Sequence, residues 1–372
     1  MPSPPPPRPS KDHMFTGDHD QRTIIVGDVH GSHSSLQKLL RNLSYDRTYD
    51  HLIHVGDVIA KGPYSGSMAV LQYMTTHNVT GVRGNHDQKV IEWRAWREWI
   101  HGHPGGKAWL RQLDADGDEI MELEGMPSAK WVDKELKTLD LGKWRKKIPE
   151  GWQLFSDHYK IARKMSAAQF EYLLSLPIIL HVPSAHTYIV HAGLLPYDPT
   201  RPESHRRQPL AHLPTLVKKG KVAQLRLAQE LAVLHDIPQN TDPWANLNIR
   251  SVDHKEVTKS SKNGTPWSDL WNDAMGKCAG DSMVEVHKKK DSMPCWPATV
   301  IYGHAASRGL DIKRWSFGTD SGCVYGRRLS ALVLDAHSSI EVDSEDADLQ
   351  KLPYGDNRYS RIVSVKCPDL DI

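Results

Sequence analysis

The chain is 372 residues long, 39% of its residues are hydrophobic, and its 47 Lys and Arg residues nearly balance its 45 Asp and Glu residues. This size and composition allow a substantial core, in one large domain or two smaller ones. The balance of charge lacks the large positive field that favours nucleic acid, so we expect no DNA partner. The sequence contains no run of eighteen apolar residues, signal peptide or anchor, so we expect no membrane segment.

The predicted elements begin after a Pro-rich and polar stretch, residues 1–20, which we interpret as a disordered tail. From residue 21 onward the strands RTIIVG, HLIHVG and VTGVRG alternate with the helices SSLQKLLRNL and GSMAVLQYMTTH. This β-α-β-α-β pattern is typical of a sheet whose active-site loops lie at the carboxyl ends of its strands.

Residues 88–180 are rich in Trp and in charge, and we interpret them as a mainly helical insertion in one domain that spans 21–372. Trp93, Trp96 and Trp99 are three residues apart, a spacing that favours core packing over a ligand platform. The later apolar runs LPIILHV and HTYIVHAG predict further strands. The final runs ATVIYGH, LSALVLDA and RIVSVKC predict a second sheet packed on the first.

The cysteines and one basic run have simple interpretations. The run HKKKDS at 287–292 predicts a solvated loop, with a contact to a polyanion as the alternative. The chain has four cysteines (Cys278, Cys295, Cys323 and Cys367), too few for a disulfide framework and without the spacing of a zinc site. We favour unpaired cysteines because disulfides are rare in cytosolic proteins, and we leave a Cys278–Cys295 bridge open.

Polar side chains follow the predicted strands at the points where the strands end. They are Asp28 and His30 in GDVHG, Asp57 in GDVIAKG, Asn85 and His86 in RGNHD, His191 in IVHAG and His304 in IYGHA. Carboxylates, imidazoles and an amide oxygen at adjacent strand ends suit Zn, Mn, Co or Fe. One carboxylate can bridge two ions about 4 Å apart, and Asp57 is the natural bridge. The sequence therefore predicts a centre for two divalent metal ions.

In this order the motifs GDVHG, GDVIAKGP, RGNHD, VHAG and GH resemble the signature of the calcineurin-like metallophosphoesterases. Within that superfamily the chain resembles the phosphoprotein phosphatases, and more narrowly the ApaH-like phosphatases, whose second motif ends Lys-Gly-Pro. The resemblance runs from about residue 22 to 335. It implies an α/β fold: the metallophosphoesterase αββα sandwich of two mixed β-sheets flanked by helices, with the helical insertion as a subfamily feature.

The resemblance also divides the candidate ligands between two ions. It implies a first metal held by Asp28, His30 and Asp57. It implies a second metal held by Asp57 together with Asn85, His191 and His304.

Four further residues receive roles from the resemblance. His86 matches the proton donor to the leaving oxygen, with a purely orienting histidine as the alternative. Lys61 and Arg250 match phosphate-binding positions, where cations meet the charge on the nonbridging oxygens. Arg83 either contacts the substrate or holds its loop through a buried ion pair.

Ala60 departs from the pattern of most phosphoprotein phosphatases, which have at this position an Asp that pairs with the catalytic histidine. Without that carboxylate we expect the pKa of His86 to be lower than in those relatives. A phosphate leaving group departs readily as an anion and needs a strong acid less. We therefore interpret Ala60 and Lys61 as favouring a phosphoanhydride over a phosphomonoester.

The stretches VPSAHTYIVHAGLLPYDP, GTPWSDLWN and GTDSGCVYGRRLSALVLD are similar to fungal ApaH-like endopolyphosphatases. That resemblance implies internal cleavage of inorganic polyphosphate by a metal-bridging hydroxide, and a vacuolar location that the sequence itself does not fix. The alternatives are hydrolysis of dinucleoside polyphosphates or RNA caps, dephosphorylation of phosphoserine or phosphothreonine, and a metal-bound binding module without activity.

Aromatic and basic side chains bear on these alternatives. A nucleotide substrate predicts an exposed stacking surface, for which Tyr64, Trp267, Trp271 and Tyr325 are candidates, although packing is the favoured interpretation of each. The cations that follow the last histidine motif either guide a polyanion or keep the surface hydrated. They are Arg308, Lys313, Arg314, Arg327 and Arg328.

Overall fold

The structure is a computed structural model that describes residues 8–9, 21–124, 142–214, 222–281, 292–335 and 351–368. Most of the predicted tail and nearly all of the basic run at 287–292 lie outside these residues. The interpretations of both segments therefore stay predictions.

The strands of the described ranges build two large sheets and one small one. In chain order they are β1 (Arg8–Pro9), β2 (Arg22–Val26), β3 (Asp50–His54), β4 (Thr80–Gly81), β5 (Ile179–Val182), β6 (Thr187–Val190), β7 (Ser251–Asp253), β8 (Glu256–Thr258), β9 (Thr265–Pro266), β10 (Thr299–Tyr302), β11 (Asp311–Lys313), β12 (Ser316–Gly318), β13 (Arg328–Leu334), β14 (Leu352–Tyr354) and β15 (Arg358–Lys366). The first sheet has the order β14-β15-β13-β2-β3-β4, the second β1-β5-β6-β10-β12-β11, and the small sheet β8-β7-β9.

The α-helices cover the outer faces of the two large sheets. In chain order those of the described residues are α1 (His33–Asn42), α2 (Tyr64–His77), α3 (Asn85–His101), α4 (Gly106–Glu124), α5 (Asp157–Lys164), α6 (Ala167–Ser175), α7 (Val222–His235), α8 (Pro243–Asn248) and α9 (Trp267–Lys277). Short 3-10 turns lie at Gly142–Lys147, Pro183–Ala185, Pro238–Thr241, Ala306–Arg308 and Cys323–Tyr325.

Alternating side chains in the strands explain the layers. In β2, Ile24 and Val26 belong to the core under the helices of the first sheet, whereas Ile25 belongs to the core between the two sheets. Successive residues of a strand point to opposite faces, so an apolar strand can serve both cores. Helices α7 and α9 cover the second sheet through Leu234 and Trp271. The prediction of an α/β sandwich of two mixed sheets is confirmed.

The assignment of strands to sheets was wrong in part. We expected LSALVLDA and RIVSVKC to join ATVIYGH in the second sheet. Instead β13 pairs antiparallel with β2, with Leu332 opposite Ile25, and β15 pairs with β13, so both extend the first sheet. The local pattern marks a strand as buried, but its neighbour is chosen by long-range packing that the pattern does not encode.

In the part of 88–180 that the structure describes, the insertion consists mainly of helices. The prediction of core packing is confirmed for Trp93 and Trp96, which are buried, whereas Trp99 is 45% exposed. Trp96 also donates from Nε1 to the carbonyl of Lys147 at 2.7 Å. Helix α5 packs along α3, partly through Tyr159, whose ring lies 5.1 Å from that of Trp93. This contact holds α5 against the middle of α3.

All four cysteines are paired, which corrects the expectation of unpaired thiols. Cys278 bonds to Cys295, the bridge that we left open, and Cys323 bonds to Cys367, a bridge that we did not foresee. Cys323 precedes β13 and Cys367 follows β15, so the pairing of these strands brings the two residues together. Spacing of 44 residues along the sequence gives no hint of this contact.

Candidate metal centre and active site

Five strand ends meet at the site. The strands β2, β3 and β4 run parallel in the first sheet, and β6 and β10 run parallel in the second. Parallel strands present their carboxyl ends at one edge, where loops collect polar side chains. The two sheets are joined there by a hydrogen bond in which His191 Nδ1 donates to the carbonyl of Val55 at 2.9 Å.

The candidate ligands form two buried clusters that share one carboxylate. The first contains Asp28, His30 and Asp57, and the second contains Asp57, His191 and His304. Within each cluster the ligand atoms all lie within 4.8 Å of one another.

Asn85 completes the second cluster. Its Oδ1 lies 3.0 Å from His191 Nε2 and 3.0 Å from His304 Nδ1. The structure thus brings all six candidate ligands together and places Asp57 between the two groups. Oxygen and imidazole donors in this arrangement match the ligand set of a dinuclear divalent centre.

Two further features of the pocket fit bound metal. His30 Nε2 lies 3.6 Å from Asp57 Oδ2, and His191 Nε2 lies 3.4 Å from the same oxygen. Imidazole nitrogens aimed at one carboxylate oxygen from both sides are the donor arrangement that two divalent ions would satisfy. A Cβ on Gly84 would lie 2.1 Å from Asp57 Oδ1, and one on Gly303 would lie 2.0 Å from Asp28 Oδ1. The motifs therefore need glycine where the carboxylates approach the backbone.

Backbone strain collects at the same loops. His30, Asp57 and His304 have φ values of 45°, 49° and 66°, in the left-handed region that residues other than glycine rarely adopt. Such conformations cost about 1–3 kcal/mol each and persist where the surrounding structure fixes them. The backbone N–H of His304 donates to both Asp28 oxygens at 3.1 Å, and that of His86 donates to Asp57 Oδ1 at 2.8 Å.

Asp87 is a structural residue of this site that the sequence reasoning missed. Its buried carboxylate accepts from the backbone N–H groups of Asp57, Val58 and Gly84 at 2.9 to 3.2 Å. It thereby ties the loop after β3 to the start of α3. The available signal was its position three residues after Gly84, where an acidic residue caps a helix N-terminus.

A cavity of about 630 Å³ opens over the two ligand clusters. Among the described residues its lining includes the basic side chains Lys61, Arg250, Lys259 and Arg327. Arg250 is fixed at the rim because Nη2 donates to the carbonyl of His304 at 3.2 Å. Lys259 was not predicted from the sequence, and neither was a nearly buried carboxylate of the lining, Asp320.

His86 lines this cavity and has a partner in the insertion. Its Nδ1 lies 2.8 Å from His158 Nε2, and His158 Nδ1 lies 2.6 Å from Asp157 Oδ1. Burial lowers the pKa of His86 to about 3, against the opposing negative charge of Asp57. The direction is the one expected from Ala60, although burial is the largest cause. The sequence reasoning missed both His158 and Asp157.

The comparison with protein families agrees with this geometry. Residues 21–192 match the family described as calcineurin-like phosphoesterase. Residues 21–192 carry a calcineurin-like metallophosphoesterase domain. Members of this family use a dinuclear centre of divalent metal ions, which the two clusters sharing Asp57 are suited to hold.

Individual relatives of the metallophosphoesterase domain have different activities. Serine/threonine-protein phosphatase 1 of Salmonella typhimurium is 37% identical over 92 residues, which are 25% of this chain and 42% of that protein. A symmetrical bis(5'-nucleosyl)-tetraphosphatase of Haemophilus ducreyi is 40% identical over 71 residues, or 18% of this chain and 26% of that protein. The chain thus spans less than half the length of these two relatives.

A third relative matches over a longer range. The zinc-dependent endopolyphosphatase of Saccharomyces cerevisiae is 23% identical over 332 residues, which are 85% of this chain and 76% of that protein. This match is longer than the family match to residues 21–192 and therefore extends beyond it.

Arg83 requires a correction, because it does not line the cavity of the metallophosphoesterase domain. The residue is fully buried, and its guanidinium donates to Gln88 Oε1 at 2.9 Å and to the carbonyl of Leu174 at 2.7 Å. A buried group with these partners cannot reach a substrate. Arg83 instead links the end of α6 to the start of α3.

The cations proposed to guide a polyanion divide into two kinds. Arg327 lines the cavity, as noted above. Lys313 is instead paired with Asp269 at 2.6 Å and Asp311 at 3.0 Å, and Arg314 lies over the ring of Trp315. Partners on the protein already occupy these two side chains, so the guiding role is corrected for Lys313 and Arg314.

The four candidate stacking residues are two buried tryptophans and two partly exposed tyrosines. Trp267 and Trp271 are buried and pack in the core of the second sheet, as favoured from the sequence. Tyr64 is 38% exposed but is absent from the lining of the cavity. Tyr325 is 56% exposed and belongs to the lining, so it is the candidate that a nucleotide base could reach.

Proposed function

We propose that this chain is a dinuclear-metal-dependent phosphoanhydride hydrolase that cleaves inorganic polyphosphate internally. The observation that carries the proposal is the cavity in which two ligand clusters face Lys61, Arg250, Lys259 and Arg327. Polyphosphate carries negative charge on every unit and has no apolar part. It is therefore recognised best by several cations placed beyond the reacting phosphate.

The proposed metal ligands are Asp28, His30 and Asp57 for one ion, and Asp57, Asn85, His191 and His304 for the other. Two bound divalent ions would polarise the phosphate oxygens and make a water between them acidic enough to attack phosphorus. The donor set suits zinc, and also manganese, cobalt or iron. Dependence on zinc in a relative that matches 85% of this chain supports zinc as the first choice.

The remaining proposed roles belong to side chains of the cavity. Lys61 and Arg250 bind nonbridging oxygens of the phosphate under attack, where negative charge increases as the bond breaks. Arg250 is suited to two parallel hydrogen bonds because its guanidinium is planar and held at the rim. His86 delivers a proton to the leaving oxygen, and for a phosphate leaving group a modest acid suffices.

Similarity along the chain supports polyphosphate over the other substrates. The match to the yeast zinc-dependent endopolyphosphatase extends well beyond residues 21–192, whereas the matches to the Salmonella phosphatase and the Haemophilus tetraphosphatase are confined to 92 and 71 residues. We also propose that residues 21–372 form one domain, with 88–180 as its insertion.

One side-by-side assay tests the proposal. The purified chain is given polyphosphate, diadenosine tetraphosphate, capped RNA and a phosphopeptide with Zn, Mn, Co or Mg. We expect polyphosphate to shorten on a gel before free phosphate appears, because internal cuts release few single units. Inactivity on polyphosphate with good turnover of the phosphopeptide would show a protein phosphatase. Inactivity on every substrate, with metals confirmed by elemental analysis, would show a binding module.

Hydrolysis of dinucleoside polyphosphates is the second candidate, and Tyr325 favours it. An exposed aromatic ring at the cavity can stack on a base, which contributes about 1–3 kcal/mol per base in nucleic-acid-binding proteins. Tyr325→Ala should then raise the KM for diadenosine tetraphosphate, while Tyr325→Phe keeps the ring and should not. If neither variant changes the KM, Tyr325 supports no nucleotide site.

The two disulfides bear on the predicted vacuolar location. Stable disulfides form in oxidising compartments and are rare in the cytosol, so both bridges support passage of the chain through such a compartment. Among the helices that the structure describes, none combines the length and apolar character needed to cross a bilayer. The vacuolar location stays a proposal.

A further inference from the structure

We infer that His158 and Asp157, on helix α5 of the insertion, are positioning residues for the proton donor His86. The inference rests on the proposed role of His86 in phosphate transfer and adds a part of the site that no motif contains. His158 and Asp157 take the place of a carboxylate that most phosphoprotein phosphatases have at the position of Ala60.

A chain of short contacts carries the inference. His86 Nδ1 lies 2.8 Å from His158 Nε2, and the planes of the two rings are inclined by 22°. His158 Nδ1 lies 2.6 Å from Asp157 Oδ1. The other Asp157 oxygen accepts from the backbone N–H of Lys61. The side chains of His158 and Asp157 are only 11% and 28% exposed, so these contacts are partly shielded from water.

Donor and acceptor rules fix the bond to Asp157, and we infer the direction of the second bond from it. A carboxylate only accepts, so His158 must carry its proton on Nδ1, facing Asp157. The lone pair of His158 Nε2 then accepts from the N–H at Nδ1 of His86. His86 donates a proton only as the imidazolium, in which both ring nitrogens carry one. The hydrogen bond holds the Nδ1 proton, so the Nε2 proton goes to the leaving oxygen and the ring returns to its neutral form. His158 thereby fixes which nitrogen of His86 faces the leaving group.

The helix that carries these residues is firmly held. Ser156 caps α5 by accepting from the backbone N–H of Tyr159. The Tyr159 hydroxyl donates to Asp114 at 2.7 Å, and Arg97 binds the same carboxylate at 2.7 and 2.9 Å. Positioning of a reacting group requires a support of this kind, because loosely held partners leave the geometry undefined.

Asp157 connects two parts of the site. Through His158 it orients the proton donor, and through the backbone of Lys61 it holds the loop that presents a phosphate-binding cation. Lys61 has a φ of 64° and Ala60 a φ of 69°, so this loop follows an unfavourable path. A fixed acceptor for the Lys61 N–H helps to keep that path.

The hydrogen bond is tested by ¹⁵N NMR of histidine-labelled, zinc-loaded protein. We expect His86 to be protonated at Nδ1 in the wild type and to lose this preference in His158→Ala. His158→Gln offers an amide oxygen as an acceptor and should retain it. Lys164→Ala, on the exposed side of the same helix, serves as the matched control. Protonation of His86 at Nε2 alone in the wild type would overturn the inference.

A kinetic test separates positioning from general support of the fold. Phenyl phosphate has a poor leaving group that needs a proton, whereas 4-nitrophenyl phosphate has a good one that does not. We expect His158→Ala to lower kcat for phenyl phosphate by about 10- to 100-fold, as is usual when an outer partner of an active-site histidine is removed. The kcat for 4-nitrophenyl phosphate should stay unchanged.

The outcomes distinguish this inference from the proposed function. Equal losses of kcat on both esters would indicate a purely structural His158 and overturn the inference, as would full activity on both. If His158→Ala does not fold, His158→Gln and Asp157→Asn are compared on the same two esters. If the wild type hydrolyses no phosphate compound at all, the proposed function fails, while the NMR experiment still decides whether the hydrogen bond exists.

Discussion

The strand ends and the helical insertion contribute to one site in different ways. The strand ends supply six candidate ligands, five of them buried, with left-handed backbone at His30, Asp57 and His304. The insertion supplies His158 and Asp157, which reach the site through side-chain hydrogen bonds from a separate helix. We propose from this difference that the sheet determines where metal and phosphate bind, while the insertion adjusts how a proton reaches the leaving group.

The largest expected effect is at the strand ends. Asp57→Asn removes the charge shared by the two ligand clusters, and we expect loss of bound metal and of activity by about a thousandfold or more, since metal ions supply several kcal/mol of transition-state stabilisation. Elemental analysis and a polyphosphate assay measure both effects. Asp236→Asn, an exposed position on the loop after α7, is the control. Retention of two ions per chain in Asp57→Asn would refute the bridging role.

The next effect lies where the two regions meet. His86→Asn should lower kcat for phenyl phosphate by about a hundredfold or more, the usual contribution of a general acid. The loss for polyphosphate should be smaller, because its leaving group departs as an anion. The measurement is the ratio of kcat for polyphosphate to kcat for phenyl phosphate, which should be higher in His86→Asn than in the wild type. The same loss on both would contradict the interpretation that Ala60 and the insertion suit the site to phosphoanhydrides.

A third effect concerns the cavity between the two regions. Lys259→Ala and Arg327→Ala each remove a cation beyond the reacting phosphate, and we expect the KM for long polyphosphate to rise about tenfold, since a hydrogen bond to a charged group contributes about 1.5–3 kcal/mol. The KM for tripolyphosphate, which is too short to use every cation, should change little. Lys255→Ala, at an exposed turn between β7 and β8, is the control. Equal effects on both lengths would disprove an extended binding site.

The strand ends were predictable because their signal is local. An apolar run that ends in Gly followed by Asp, Asn or His predicts a candidate ligand from the local sequence alone. Parallel pairing of the strands then brings Asp28, Asp57 and Asn85 together. The division of ligands between two ions and the roles of Lys61, Arg250 and His86 came from the resemblance of the motifs to a family. Lys61, Arg250 and His86 line the cavity, and their roles stay predictions.

The features that the sequence did not predict have a common cause. The position of His158 depends on how α5 packs on α3, and that of Lys259 on the turn that follows β8. Neither contact leaves a periodic signal. The burial of Arg83 and the Cys323–Cys367 bridge likewise depend on residues more than 40 positions away in the sequence. Long-range contacts of this kind are decided by tertiary packing, which single-sequence patterns do not encode.

The smallest expected effect is on stability: we expect the contribution of Asp157, in the insertion, to the free energy of unfolding to depend on pH. Burial raises the pKa of Asp157, but hydrogen bonds from His158 and from the backbone of Lys61 outweigh it and hold the pKa below its usual range. Its contribution to stability is therefore present above the unfolded pKa of about 3.9 and is lost as the pH falls through the lower folded pKa.

Urea unfolding of the metal-free protein measures this contribution. Asp157→Asn should lower the free energy of unfolding relative to the wild type at pH 6, and the difference should shrink at pH 3. Asp236→Asn should show no such difference at either pH. A difference for Asp157→Asn that is independent of pH would show that the carboxylate does not contribute as an ion.

A crystal structure of the zinc-loaded protein with orthophosphate tests the central claim most directly. We predict two anomalous scattering peaks with Asp57 between them, the phosphate in contact with Lys61 and Arg250, and His86 hydrogen-bonded to His158. A single ion, or two ions with Asp57 bound to only one of them, would contradict the dinuclear centre on which the proposed function depends.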